Sequence, residues 1–207
     1  MSSATNGTEP KRRGRRPSGE DTRAALLAAA REVFTEQGYD AATVRAIAAH
    51  AGVDPAMVNH WFGSKAGLFS AAVQIPINPD DVVPDLLAGD REGLAERLLR
   101  MFLAVWDNAE GGQFAALVRS IASNESAVSM LRDFIQNVMF NQLVKVLGVD
   151  RPELRASLAG SQIVGLGMAR YVVHLEPLAS ADHDTVVAAI GPNLQRYLTG
   201  DLGPTDH

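Results

Sequence analysis

Residues 51–65, AGVDPAMVNHWFGSK, end one helix and begin another within four positions. Gly52 supplies the stop, because glycine enters the left-handed conformation at a helix C-terminus without a steric penalty. Asp54 followed by Pro55 supplies the start. An aspartate side chain takes free first-turn N–H groups, and proline at the first helical position gives up no hydrogen bond. At 100° per residue, Val58 and Phe62 point to one side of the new helix, flanked by Pro55 and Trp61. Gly63 ends it after Phe62, and Ser64 caps a further helix from Lys65.

The residues upstream complete the unit. Ser18 and Asp21 have capping-box spacing, and Leu26, Leu27, Ala30, Val33 and Phe34 then recur along one helical face. Gly38 offers that helix a left-handed stop. Thr43 caps a second helix that turns Ile47, Ala48 and Ala51 inward before Gly52. Three short helices with a glycine turn between the second and third make a helix-turn-helix.

The outward face of the third helix holds Ala56, Asn59 and His60, with Met57 at its edge. A solvated face would carry Lys or Glu, whereas this one is small, partly apolar and uncharged, which suits a groove. Ala and Met can touch thymine methyls, and Asn and His can bond base edges or phosphates. Arg45 reaches a guanine or a phosphate. Thr43 and Lys65 stand at helix N-termini, where free N–H groups attract phosphate. His60 has two rival readings, a surface histidine and a metal or catalytic group. The other histidines are His50, His174, His183 and His207, with no HxxxH or HExxH pairing, and no nucleophile stands beside it. Catalytic residues and metal ligands are therefore expected to be absent, and no cofactor is implied.

Charge agrees once it is divided along the chain. The formal net charge of −5 argues against an anionic partner. Residues 1–70, however, hold nine basic and seven acidic residues, and the remainder ten and seventeen. Five of the nine lie in KRRGRRP, residues 11–17. Residues 1–17 are too rich in Ser, Thr, Gly and charge to bury anything and read as a disordered basic arm. Arg12, Arg13, Arg15 and Arg16 are its candidate DNA contacts, against the alternative of a solubilising tail.

After residue 74, IPINPDDVVPDLLAGD reads as a proline-broken linker. Helical patterns come next over 91–109, 112–123, 125–147, 151–176 and 182–199, a bundle of about 130 residues. No apolar run is long enough to span a membrane, there is no secretory h-region, and there are no cysteines, so the cytoplasm is the expected compartment. The expected fold is all-α: an arm (1–17), a helix-turn-helix domain (18–74) and a helical effector-binding and dimerisation domain (75–207).

Within the bundle, SLAGSQIVGLGMARYVVHLEP (157–177) is rich in small residues. Helical glycine costs about 0.5–1 kcal/mol against alanine, so close approach of another helix is the expected reason. Gly160, Val164, Gly167 and Tyr171, with Val187, Ile190 and Leu194 on the last helix, are the candidate homodimer interface. Packing within one chain is the alternative. Phe102, Trp106, Phe114, Met130, Phe134, Met139, Met168 and Tyr171 are candidates for a ligand cavity, with Gln136, Asn137, Gln162 or His174 as polar anchors. Aromatics and methionines at this spacing also make ordinary core. Few lysines or arginines lie inside these helices, which favours an apolar or neutral ligand.

With these elements in place, residues 22–73 resemble the TetR (tetracycline-repressor-like) transcription regulators. The stretch AAREVFTEQGYDAATVRAIAAHAGVDPAMVNHWFGSKAGLF matches the family's run: an aromatic after helix one, Gly-aromatic, Thr-Val-Arg-x-Ile-Ala, Ala-Gly-Val, aromatic-Phe and Ser-Lys. The resemblance implies that Thr43, Trp61 and Lys65 meet phosphates. It places Arg45, Pro55, Ala56, Met57, Asn59 and His60 at the major groove, with Val44 beside them. Asn59 departs from the family's usual tyrosine, and Gly67 stands where acidic residues are common. RGRRP is similar to AT-hook cores that insert arginines into A·T minor grooves. The function implied is a dimeric, ligand-responsive repressor on a roughly palindromic double-stranded operator. An enzyme built on the bundle, or an architectural DNA-binding protein without an effector, are the competing classes.

Overall fold

The computed structural model describes residues 19–107, 116, 125–140, 143 and 146–204. Among these residues every regular element is helical, and none is a strand. The basic arm, Ser18, Phe114 and the helix expected over 112–123 lie outside them, apart from residue 116.

The helix-turn-helix is built from α1 (Gly19–Ala41), α2 (Val44–Ala51) and α3 (Ala56–Phe62), with α4 (Lys65–Ala72) packed beneath. From Thr43 onward its start and stop signals act where the sequence puts them, whereas α1 runs past Gly38 to Ala41. Gly38 breaks α1 with φ 74° and ψ 174°. The Thr43 hydroxyl accepts from the Ala46 N–H, and Gly52 ends α2 in the left-handed region. The Asp54 carboxylate accepts from the Ala56 N–H at 2.8 Å, so α3 begins one residue after Pro55. Ser64 accepts from the Gly67 N–H.

Burial explains why α1 and α4 pair. Phe34 and Phe69 meet edge to face at 4.6 Å between ring centres, and Tyr39 meets Phe69 at 5.1 Å. Leu26, Ile47 and Val58 are fully buried beside them.

The segment expected as a linker is corrected by the structure: Pro79–Leu87 forms helix α5. Asn78 caps it, Pro79 occupies the first turn, and Val83 and Leu86 are buried. Pro84, inside the helix, removes one N–H, and the apolar contacts of its neighbours outweigh that single loss.

Beyond it lie α6 (Leu94–Asp107), α7 (Glu125–Asp133), α8 (Pro152–Gly167) and α9 (His183–Thr199). The chain continues past α7 in π-helical turns over Phe134–Phe140, and past α8 over Met168–Val172. Leu94, Leu99 and Leu103 of α6 are buried, as are Leu194 and Leu198 of α9, and the two helices pack along their lengths. A Cβ on Gly191 would already touch Leu99 at 3.9 Å.

Polar side chains fasten both ends of α9. Asp107 accepts from Arg170, Tyr171 and His183 at the N-terminus of α9. Buried Arg155 donates to the carbonyls of Tyr197 and Gly200 at the other end of α9 and pairs with Asp150.

Candidate nucleic-acid interface and effector cavity

The expected reading face is present as a surface. Thr43, Arg45, Pro55, Ala56, Asn59 and His60 are exposed, and Val44 and Met57 are half-buried. Val58 and Phe62 anchor α3 from behind. This division leaves Arg45, Ala56, Asn59 and His60 free to meet a groove.

Two residues assigned to phosphate are held otherwise. The Lys65 ammonium sits 4.4 Å from the centre of the Tyr39 ring and donates to the Asp40 carbonyl at 3.3 Å. Burial lowers its pKa, opposed by the Asp40 charge. The Trp61 indole N–H is buried without a partner among the described residues. A Cβ on Gly19 would approach the Trp61 ring at 3.1 Å, so the first turn of α1 lies directly on that indole.

One basic residue that the sequence reading did not single out stands near this surface, Arg23. It is exposed on α1, with its guanidinium carbon 5.4 Å from the centre of the Phe62 ring, at the back edge of the third helix. Its nearness to the arm was the available signal.

A second feature lies among α6, α7 and α8. An apolar cavity, open at its mouth, is lined by Phe102, Trp106, Phe134 and Met139 from the expected set. Ile75, Ile77, Leu98, Met101, Val105, Leu131, Ile135, Gly160, Ile163 and Val164 complete the lining. Every one of these residues is apolar. Of the other candidates, Met130 receives a weak contact from the Thr35 hydroxyl at 3.7 Å, and Asn137 lies beside Asp133. Met168 is absent from the lining, and Tyr171 donates to Asp107 at 2.6 Å. Gln136 and His174 are exposed and Gln162 is half-buried, and none of the three is in the lining.

The residues proposed for a dimer interface lie largely inside the single chain. Gly160 and Val164 line the cavity. Gly167, Tyr171, Val187 and Leu194 are buried, and Ile190 is half-buried. The exposed stripe is offset by one or two positions: Leu154, Ser157, Ser161 and Gly165 on α8, and Ala188, Ala189 and Pro192 on α9.

No group of three or more metal-ligating side chains occurs among the described residues. No helix among them is long and apolar enough to cross a membrane. A groove-sized reading helix, rigidly backed and joined to a helical body with an apolar cavity, defines a helix-turn-helix DNA-binding regulator.

Residues 26–72 match the family described as bacterial regulatory proteins, tetR family, and residues 92–198 the tetracyclin repressor-like C-terminal domain. The chain belongs to the TetR family of transcriptional regulators, which are not enzymes. A TetR-family regulator of known structure from Streptomyces coelicolor A3 is 37% identical, over 90% of this chain and 99% of that one, with a TM-score of 0.48. An uncharacterized HTH-type transcriptional regulator of Mycobacterium tuberculosis is 28% identical over 193 residues, 86% of this chain and 88% of its own. The HTH-type transcriptional activator FasR of Mycolicibacterium smegmatis is 37% identical over 83 residues, 40% of this chain and 35% of its own.

Proposed function

We propose that this regulator is a dimeric, cytoplasmic repressor released from its operator by a neutral, apolar small molecule. The reading head spans residues 18–74 and the effector body 75–207. The observation that carries the proposal is the position of Ile75 and Ile77. Both line the apolar cavity, and both belong to the short segment leaving α4, which packs against α1 and α3. A molecule filling the cavity presses on the strut beneath the reading helix. It acts only through its different affinity for the two arrangements.

Two copies, joined along the exposed stripes of α8 and α9, would present two α3 helices to successive major grooves, about 34–36 Å apart. Arg45, Ala56, Met57, Asn59 and His60 read bases there, with Pro55 and Val44 against the groove wall. Thr43 and Lys65 approach phosphates. Gly19 rests on Trp61, which supports an arm that leaves from the DNA-facing side and brings Arg12, Arg13, Arg15 and Arg16 to the adjoining minor groove.

The test is selection of bound sequences from random DNA, with subsequent screening of neutral apolar compounds for both thermal stabilisation and operator release. A compound that does both supports the proposal. Operator binding that no cavity-binding compound alters favours the architectural class, and a reporter gene beside the selected operator decides between repression and activation.

A further inference from the structure

The reading head and the effector body also touch where α7 packs against α1. There a single carboxylate of α7 completes a broken turn of α1. Gly38 interrupts α1 with a positive φ of 74°, so the chain leaves the helical path and the next N–H, that of Tyr39, points away from the helix. Asp133 Oδ2 accepts from this N–H at 2.9 Å. The fit is close: a Cβ on Gly38 would stand 3.4 Å from the same oxygen. Asn137 donates to the other oxygen at 3.5 Å, and Thr35 touches Met130 one turn earlier.

The contact matters because Tyr39 and its neighbours organise the start of α2. The Tyr39 ring packs on Phe69 and carries the Lys65 ammonium, and the next carbonyl, that of Asp40, accepts from Lys65. Thr43, four residues on, caps α2 and opens the segment bearing Arg45. The turn at residues 38–42 therefore sets where the N-terminus of α2 stands relative to α1 and α4. Without an acceptor, the Tyr39 N–H would be a partly buried, unpaired donor, and the turn would have no reason to keep one conformation.

Asp133 is also the last α-helical residue before the π-helical turns Phe134–Phe140. Phe134, Ile135 and Met139 in those turns line the cavity. π-Helical turns are rare, concentrate at functional sites, and lie one hydrogen-bond register away from the α form. Returning to the α register would rotate Asp133 relative to the cavity wall.

We infer that Asp133 is a positioning residue for DNA binding, holding the turn at Tyr39 in the operator-competent arrangement, and that occupancy of the cavity withdraws it through the π-helical turns. The second half rests on the effector reading of the cavity; the first half does not.

The experiment uses the full chain and an operator obtained by selection, with 1-aminoanthracene as a neutral apolar fluorescent probe. Operator affinity is measured for Asp133→Ala and Asp133→Asn, along with probe affinity in the absence and presence of operator. Asp133→Ala should weaken operator binding at least tenfold. Asp133→Asn, which keeps an acceptor oxygen, should stay within threefold of the parent. The operator should weaken probe binding in the parent by the same factor as the probe weakens operator binding, and this factor should fall towards one in Asp133→Ala. Unchanged operator affinity in Asp133→Ala, or equal losses in both variants, overturns the positioning role.

Hydrogen exchange at the Tyr39 amide of the unmodified protein tests the coupling without any variant. Protection should be present in the free chain and lost on saturation with probe; protection that survives saturation overturns the coupling. A probe that fails to bind the parent overturns the effector reading and the coupling together, while the operator affinities of the two variants still decide the positioning role.

Discussion

Asp107 grips Arg170 through both carboxylate oxygens, 3.2 Å to Nε and 3.0 Å to a terminal guanidinium nitrogen. The pair fastens the end of α6 to the π-helical turns beyond α8. Tyr171 and His183 donate to the same carboxylate, and Arg170 also donates to the carbonyls of Leu178 and Ala181. The arginine is 8% exposed, so its charge is tolerable only while this carboxylate is ionised.

Burial alone would raise the Asp107 pKa, but the hydrogen bonds from Arg170, Tyr171 and His183 outweigh it and bring the value down to about 2. A depressed folded-state pKa stabilises the fold above the ordinary carboxylate value of 3.8, and the stabilisation is lost as pH falls through about 2. Asp107→Asn should therefore cost about 2 kcal/mol at neutral pH. The gap between variant and parent should narrow as pH falls from 4 to 2, as measured by urea unfolding at each pH. A gap independent of pH would show that the ionised carboxylate contributes nothing.

Deleting residues 1–17 should flatten the salt dependence of operator binding. Each phosphate contact adds about 0.9 to the slope of log affinity against log salt, so four arginines in contact lower that slope by up to about 3.6. An unchanged slope would mean that the arm is only a solubilising tail.

Arg45 is exposed beside the reading helix. Arg45→Ala should cost about 1–3 kcal/mol and relax base preference at one operator position. Lys65→Ala should weaken binding evenly across sequences and by less, because its ammonium is partly engaged by Tyr39. Binding-site selection with each variant separates the two patterns.

The chain has two tryptophans, and Trp106 lines the cavity. Trp61→Phe leaves Trp106 as the sole indole, and its emission should change when a neutral apolar compound enters. Trp106→Ala should abolish that signal and destabilise the fold by about 3–5 kcal/mol. Ligand stabilisation that leaves Trp106 emission untouched would place the site elsewhere.

The reading head was legible because its instructions are local. Thr43 with Ala46, Asp54 with Ala56 and Ser64 with Gly67 are two or three residues apart, and the glycine stops act on their own backbone. The cavity was only partly legible. Phe102, Trp106 and Phe134 announce themselves by size, whereas Ile75, Ile77 and Ile163 look like any core residue until the helices come together.

The small residues of α8 show where sequence reading ends. Periodicity indicates that such a helix must be approached closely, but not by what. Cavity, partner helix and second subunit all favour the same composition. Gly160 and Val164 line the cavity, while Gly165, where an added Cβ would meet nothing within 4 Å, stays on the surface.

The sequence by itself determined the all-helical class, the helix boundaries of the reading head and which of its residues face outward. These come from backbone preferences and 3.6-residue periodicity, which need no distant partner. The tertiary structure alone decided that Asp107 meets Arg170, that Asp133 completes the turn at Tyr39, and which side of α8 and α9 remains free. Those pairings span 63 and 94 residues of chain, and no local propensity carries information across such a distance; only the packing of α6 on the turns beyond α8, and of α7 on α1, brings the partners within reach.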